Sequence, residues 1–346
     1  MRKIYFLFFL MPFILVSCGM NYLTMWVTEP APVTINPKIT KVGIIDRSKA
    51  SEETEKYDNI DKVLSAEGKN FDKEGSAKTV NGLIEQLNNN TRFTEVKMAE
   101  TERIQNPGVG VFPAALTWDV VDQIAKENDV QVLFVLSFYD TDTHIEYKVV
   151  MKDVANPLGG TVPVPEHHCI VTTTIKTGWR IYDVADRVIA DEVIFKDVVV
   201  SEGHGINPLS AAQAVMGRKE AVMQTSYQIG IGYATRVLPA RVRVTREYYV
   251  KGSPKFKIGK RRAQVGDWDG AAELWLEETK NPKRKAAGRA CYNMAIHCEI
   301  NGDLEGAYEW TSKAYTDYKN KEALRYQQVI KFRMAQQREL EYQTDH

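Results

Sequence analysis

Side chains able to ligate a metal gather at one place in this sequence, Glu166-His167-His168-Cys169. Carboxylate, imidazole and thiolate are the ligand set of zinc-class ions. On an extended strand, neighbours point to opposite faces, so at most alternate members of this run share an ion. His144 and Glu146, also two residues apart, are the pair that would extend it to a three-ligand site. No supporting shell is readable around them. The expectation is therefore a polar junction between a loop and a strand, with no metal and no other cofactor. His204, in Ser201-Glu202-Gly203-His204-Gly205, has no Ser/His/Asp arrangement around it. Gly159-Gly160 and Gly108-Val109-Gly110 lack the following Lys-Ser/Thr and the strand-to-helix setting of a phosphate loop. No catalytic residue emerges, and a non-enzymatic protein is expected.

Two further stretches carry chemistry of another kind. Lys251, Lys255, Lys257, Lys260, Arg261 and Arg262 form a basic run without an acidic residue. It is a candidate patch for anionic headgroups or an acidic partner, against the plainer reading of a solvated helix and linker. At the amino terminus, Arg2 and Lys3 precede an uncharged apolar run from Ile4 to Val16. A spanning helix needs roughly 20 apolar residues, so this run fits the core of a signal peptide instead. Leu15-Val16-Ser17-Cys18-Gly19 then resembles a bacterial lipobox. That resemblance implies cleavage after residue 17 and acylation of Cys18, and several acyl chains make a stable anchor. No acidic run follows Cys18, which points to the outer membrane and its periplasmic side.

The 346 residues allow two or three domains. Lys+Arg and Asp+Glu both number 45, which excludes a nucleic-acid binder working through overall basic charge. Beyond Cys18 there remain Cys169, Cys291 and Cys298. The last two are seven residues apart on a predicted helix, roughly 10 Å along its axis, too far for a disulfide. Buried free thiols are expected.

The elements follow from periodicity. Residues 1–17 read as the signal peptide and 18–38, with Pro30, Pro32 and Pro37, as a tether in which some apolar side chains pack. Residues 39–250 read as a mixed α/β sandwich domain: a strand at Lys41–Asp46, a charged insertion from Arg47 to Gly75, an amphipathic helix through Val80, Leu83, Ile84 and Leu87, a strand at Phe93–Met98, a helix capped by Thr117, and a buried strand at Val130–Phe138. This order favours parallel neighbours. A further strand, Thr143–Met151, and a loop over 152–167 follow. A hairpin over Ile170–Asp183 and Val188–Val200, a helix from Leu209 to Leu238 and a last strand at Arg241–Val250 complete the domain. Gly230 and Gly232 fall in that helix and are read as packing positions. The hairpin is read as soluble, because Thr173, Thr177 and Asp183 interrupt its apolar face and its return strand carries charges on both.

Residues 251–346 read as a helical domain. Gly266-Asp267-Trp268-Asp269-Gly270-Ala271 recurs as Gly302-Asp303-Leu304-Glu305-Gly306-Ala307. The spacing resembles tetratricopeptide repeats, in which Gly makes the turn, Ala permits close helix approach and aromatics fill the gaps. A final helix is expected from about Lys321 to Gln343. The fold class is thus α+β.

Two broader resemblances rest on quoted segments. Val42-Gly43-Ile44-Ile45, Gln131–Phe138 and the hairpin from Thr174 through Gly178-Trp179-Arg180 to Asp191 resemble the α/β domain of curli-secretion-type lipoproteins and of the Tol system's propeller protein. Gly232–Pro239, Tyr292-Asn293-Met294-Ala295 and Gly302-Asp303 resemble an uncharacterised Bacteroides-type lipoprotein family with tetratricopeptide-like helices. These imply an envelope location and an interaction role, with no catalytic residue to transfer. The expected function is a lipid-anchored, non-catalytic scaffold that binds another envelope protein or peptide through its helices. The alternatives are a metal-dependent envelope hydrolase using His144, His167 and His168, and a subunit of a secretion or ring assembly.

Overall fold

The structure is a computed structural model and describes residues 19–48, 71–100, 104, 112–155, 157, 159–215 and 217–344. In chain order the strands are β1 (Met20–Glu29), β2 (Lys41–Asp46), β3 (Glu95–Met98), β4 (Val132–Ala155), β5 (Thr161–Asp183), β6 (Val188–Gly205) and β7 (Ala240–Tyr249). The helices are α1 (Phe71–Asn88), α2 (Trp118–Asn128), α3 (Pro208–Gln213), α4 (Arg218–Ala234), α5 (Pro254–Gln264), α6 (Trp268–Glu278), α7 (Arg284–Ile300), α8 (Leu304–Thr316) and α9 (Lys321–Thr344). The fold is α+β, and it forms two units. One takes Pro30–Ala240 with the last residues from Leu340; the other takes β1 with Arg241–Glu339.

The first unit is built on a five-stranded sheet in the order β3-β2-β4-β5-β6. β2 lies parallel to β3 and β4, while β4–β5 and β5–β6 are antiparallel. Alternation decides which side chains go where. Ile44, Phe134, Leu136, Ile175, Trp179 and Ile181 enter a core that also holds Leu83 and Tyr233 from α1 and α4. Trp179 stacks on Tyr233 at 4.4 Å between ring centres. Ile45, Leu133, Val135 and Tyr182 meet α2 through Val121 and Ile124 in a second core. Burying a large apolar side chain contributes about 1.5–3 kcal/mol, so these two clusters carry the unit's stability.

Several expectations need correction here. Most of the loop expected over 152–167 is strand, since β4 runs to Ala155 and β5 starts at Thr161. β6 ends opposite His167, so Pro163 and Pro165 lie where β5 has a neighbour on one side only, the edge setting in which a strand tolerates proline. The helix expected over 209–238 is broken into α3 and α4, with Gly217 at φ +80° between them and a 3₁₀ turn at Thr235–Val237 after them. α1 begins at Phe71, inside the expected insertion. Thr117 precedes α2, but its side chain makes no capping bond. The tether is ordered in part: Ala31, Val33 and Ile35 are buried, and the carbonyls of Ile35, Asn36, Pro37 and Ile39 accept from the Arg92 guanidinium.

In the second unit β1 pairs with β7, so the strand Arg241–Val250 belongs with the helices rather than with the large sheet. Leu23 and Val27 alternate inward along β1, while Trp26 is exposed. Two helix pairs follow, α5–α6 and α7–α8. Each is joined by a Gly in the left-handed region, Gly266 (φ +86°) and Gly302 (φ +79°), then an Asp that caps the next helix. Asp267 accepts from Gly270 N at 2.9 Å and Asp303 from Gly306 N at 2.8 Å. The repeat in the sequence is therefore a repeated turn-and-cap device. Ala271 and Ala307 are fully buried, and Trp275 fills the space left by Gly259. Asn293, fully buried, donates to the carbonyl of Tyr249 and accepts from its N–H, both at 2.7 Å. Cys169, Cys291 and Cys298 are free and buried, and desolvation pushes both helix thiols up to about 11. Among the described residues no helix is long and apolar enough to cross a membrane.

Candidate functional site

Two places concentrate polar chemistry, one in each unit. In the sheet unit, Glu166, His168 and His204 come together, each offering one ligand atom within 4.8 Å of the others. Glu166 and His168 are alternate residues of β5, and His204 is the register partner of His168 on β6. His168 Nε2 lies 3.0 Å from Glu166 Oε2, and the two imidazole rings meet edge to face at 4.2 Å. The side chains of Glu166 and His168 are 24% and 17% exposed and that of His204 is 47% exposed, so the cluster opens to solvent. Lys152 reaches Glu166 Oε1 at 2.7 Å. The hydrogen bond from Lys152, with a smaller one from His168, holds the Glu166 carboxyl below its usual range. On the opposite face, neighbouring Cys169 is buried under Ala211 of α3.

In the helical unit, a cavity of about 480 Å³ lies between the starts of α7 and α9 and the end of β7. Its walls hold Arg284, Lys285, Arg289, Lys319 and Lys321 against a single carboxylate, Glu322. The aromatic part of the wall is made by Tyr249, with Arg289 over its ring at 5.0 Å, and by Tyr318, with Arg284 at 5.8 Å. α7 has no side-chain cap at its start, whereas Asn320 Oδ1 accepts from the N–H of Glu322 at 3.1 Å. Two positive helix ends and five cations make the cavity electropositive.

Residues 39–249 match the model of a family described as a domain of unknown function, DUF8603. That span is well over half of the 346 residues. The chain belongs to this family. Residues 257–337 match a second domain of unknown function, DUF6340. All three metal-ligand candidates and the sheet that holds them lie within the DUF8603 span, and all five cavity cations lie within DUF6340. No curated protein matches the chain. Among solved structures, the PelC dodecamer from Paraburkholderia phytofirmans is similar at 9% identity and TM-score 0.25, covering 63% of this chain and 97% of that one. A putative neuraminyllactose-binding hemagglutinin homolog from Helicobacter pylori is similar at 13% identity and TM-score 0.27, covering 59% and 88%. Overlaps this loose carry no functional argument.

The sequence candidates are distributed as follows. His144 stands across from Thr172, four positions along β5 from His168, and its nearest carboxylate is Glu146 at 3.8 Å. His167 points to the other face, where it hydrogen-bonds Tyr147. Neither joins the cluster; His204, set aside in the sequence, does. In the basic run, Lys255 pairs with Glu277, and Arg262 lies 3.7 Å from Asp267 and 3.6 Å from Glu273. The run is thus partly neutralised, and the cavity cations of α7 and α9 were missed because they are scattered in sequence. Cys18 lies outside the described residues.

Proposed function

We propose that this chain is a lipid-anchored, non-catalytic protein of the cell envelope that docks an acidic segment of another envelope protein. The observation that carries this reading is the cavity of about 480 Å³ with five cations and one carboxylate on its walls. Stacked helix pairs provide a concave face on which such a segment can extend. The location is supported by the basic start, the short apolar run and the lipobox-like Leu15–Cys18. The anchor would hold the protein at the outer membrane, facing the periplasm.

Binding of a fluorescent peptide rich in Asp and Glu to the full-length chain in detergent tests the docking. Lys285 and Lys321 are exposed at the cavity rim, so their reversal leaves the core intact. The double variant Lys285→Glu/Lys321→Glu is expected to bind about tenfold more weakly, since exposed charge pairs contribute up to ~1 kcal/mol each. Binding should also fall steeply with salt. Equal binding by wild type and variant overturns the reading. So does selective binding of phosphatidylglycerol vesicles through the same lysines with no binding of the peptide. The anchor is tested separately: Cys18→Ala should leave the membrane fraction and accumulate unprocessed. A variant that fractionates and is cleaved like wild type removes the anchor from the proposal.

A further inference from the structure

The sheet unit carries a second, independent site. We propose that Glu166, His168 and His204 bind one divalent transition-metal ion of the zinc class. Two imidazoles and a carboxylate are a recurrent ligand set for such ions. In a tetrahedral zinc site, ligands about 2.0–2.1 Å from the ion are roughly 3.3 Å from each other. Glu166 and His168 already stand at 3.0 Å, and all three ligand atoms fall within 4.8 Å, so a small rotation of the His204 ring closes the set.

The backbone fixes this arrangement. Glu166 and His168 share a face because they are two apart on β5, and His204 is held opposite His168 by the β5–β6 ladder. The remaining coordination positions face solvent on the side His204 exposes, leaving room for water or a donor from outside. Glu202, two residues before His204 and on the same face, has its carboxylate 4.0 Å from His204 Nε2 and adds negative charge beside the site. Two lysines oppose the ion: Lys148 is the β4 register partner of His168, and Lys152 holds Glu166. An ion at this point would clip the last residues of β6, which ends at Gly205, to β5.

Titration of the chelator-stripped full-length chain with zinc chloride, followed by calorimetry and by competition with a chromogenic chelator, tests the site. One equivalent should bind. His168→Ala and His204→Ala should each weaken binding at least ~10-fold, and Glu166→Gln about tenfold. His144→Ala and His167→Ala should bind as wild type does. Lys152→Ala should bind several-fold more tightly, because it frees the Glu166 carboxylate and removes a repelling charge. Cobalt in place of zinc should give visible absorption bands that disappear in His204→Ala. All these side chains are at least partly exposed, and unchanged circular dichroism will show that each variant folds. Zinc binding that is substoichiometric, or that persists undiminished in a His168→Ala/His204→Ala double variant, overturns the proposal.

Discussion

Replacing Glu299 by Ala is expected to destabilise the helical unit by about 3–5 kcal/mol, out of a total of roughly 5–15. The Glu299 side chain is 1% exposed and receives both Nε and Nη2 of Arg246 at 2.8 Å, together with the Tyr326 hydroxyl. Truncation leaves a guanidinium that is only 14% exposed with no carboxylate partner, next to the Tyr326 hydroxyl and donating to the Thr245 carbonyl at 3.2 Å. An unpaired buried cation costs far more than the pair gains over an apolar substitute. The double variant Arg246→Met/Glu299→Leu should therefore recover most of the loss, or all of it. Urea unfolding followed by circular dichroism measures both. A Glu299→Ala protein within ~0.5 kcal/mol of wild type would show that the cluster is not desolvated as described.

The second large effect separates two glycines two residues apart, on different sides of one helix. A Cβ on Gly230 of α4 would overlap the Thr79 carbonyl oxygen of α1 and lie 2.8 Å from Leu83 N. Gly82 of α1 faces the Tyr227 carbonyl in the same way. These are backbone atoms, so neither helix can yield without separating from the other. Gly230→Ala is expected to cost about 2 kcal/mol or more, even after Ala's better helix propensity is counted. Gly232, in the same helix, has open space where its Cβ would stand. Gly232→Ala should stabilise by about 0.5–1 kcal/mol. Thermal unfolding of the two variants gives shifts of opposite sign; shifts of the same sign would refute the close crossing of α1 and α4. The sequence reading treated both glycines as packing positions, and this holds for Gly230 alone.

What could be read in the sequence was what short-range pattern controls. The apolar run at Val132–Leu136 marks a strand covered on both faces, and Gly-Asp-x-x-Gly-Ala marks each turn between helices. What escaped depends on partners distant in sequence. β1 looked like tether because its strand pairing is with residues at 240–249. His204 was missed first because the return strand, expected to end at Val200, runs on to Gly205, and the register adds a second obstacle. Asp183 faces Val188 across the turn, and regular counting from there sets His168 opposite Gly203. A bulge between Ile181 and Tyr182 leaves Ala190 out of register and moves every later pair by one, which brings His204 to His168. No periodicity announces a one-residue slip of that kind.

The pairing of β1 with β7 has a consequence for how the chain is made. About 210 residues separate Glu29 from Ala240, and the whole five-stranded sheet lies between them. A chain that emerges N-terminus first, from a ribosome or from an export channel, presents β1 well before β7, so β1 stays unpaired until those residues have followed. Through that interval Leu23 and Val27 are without their final neighbours, and the intervening sheet has time to mature first. Completion of the helical unit then joins β1 to a strand and helices made about 210 residues later.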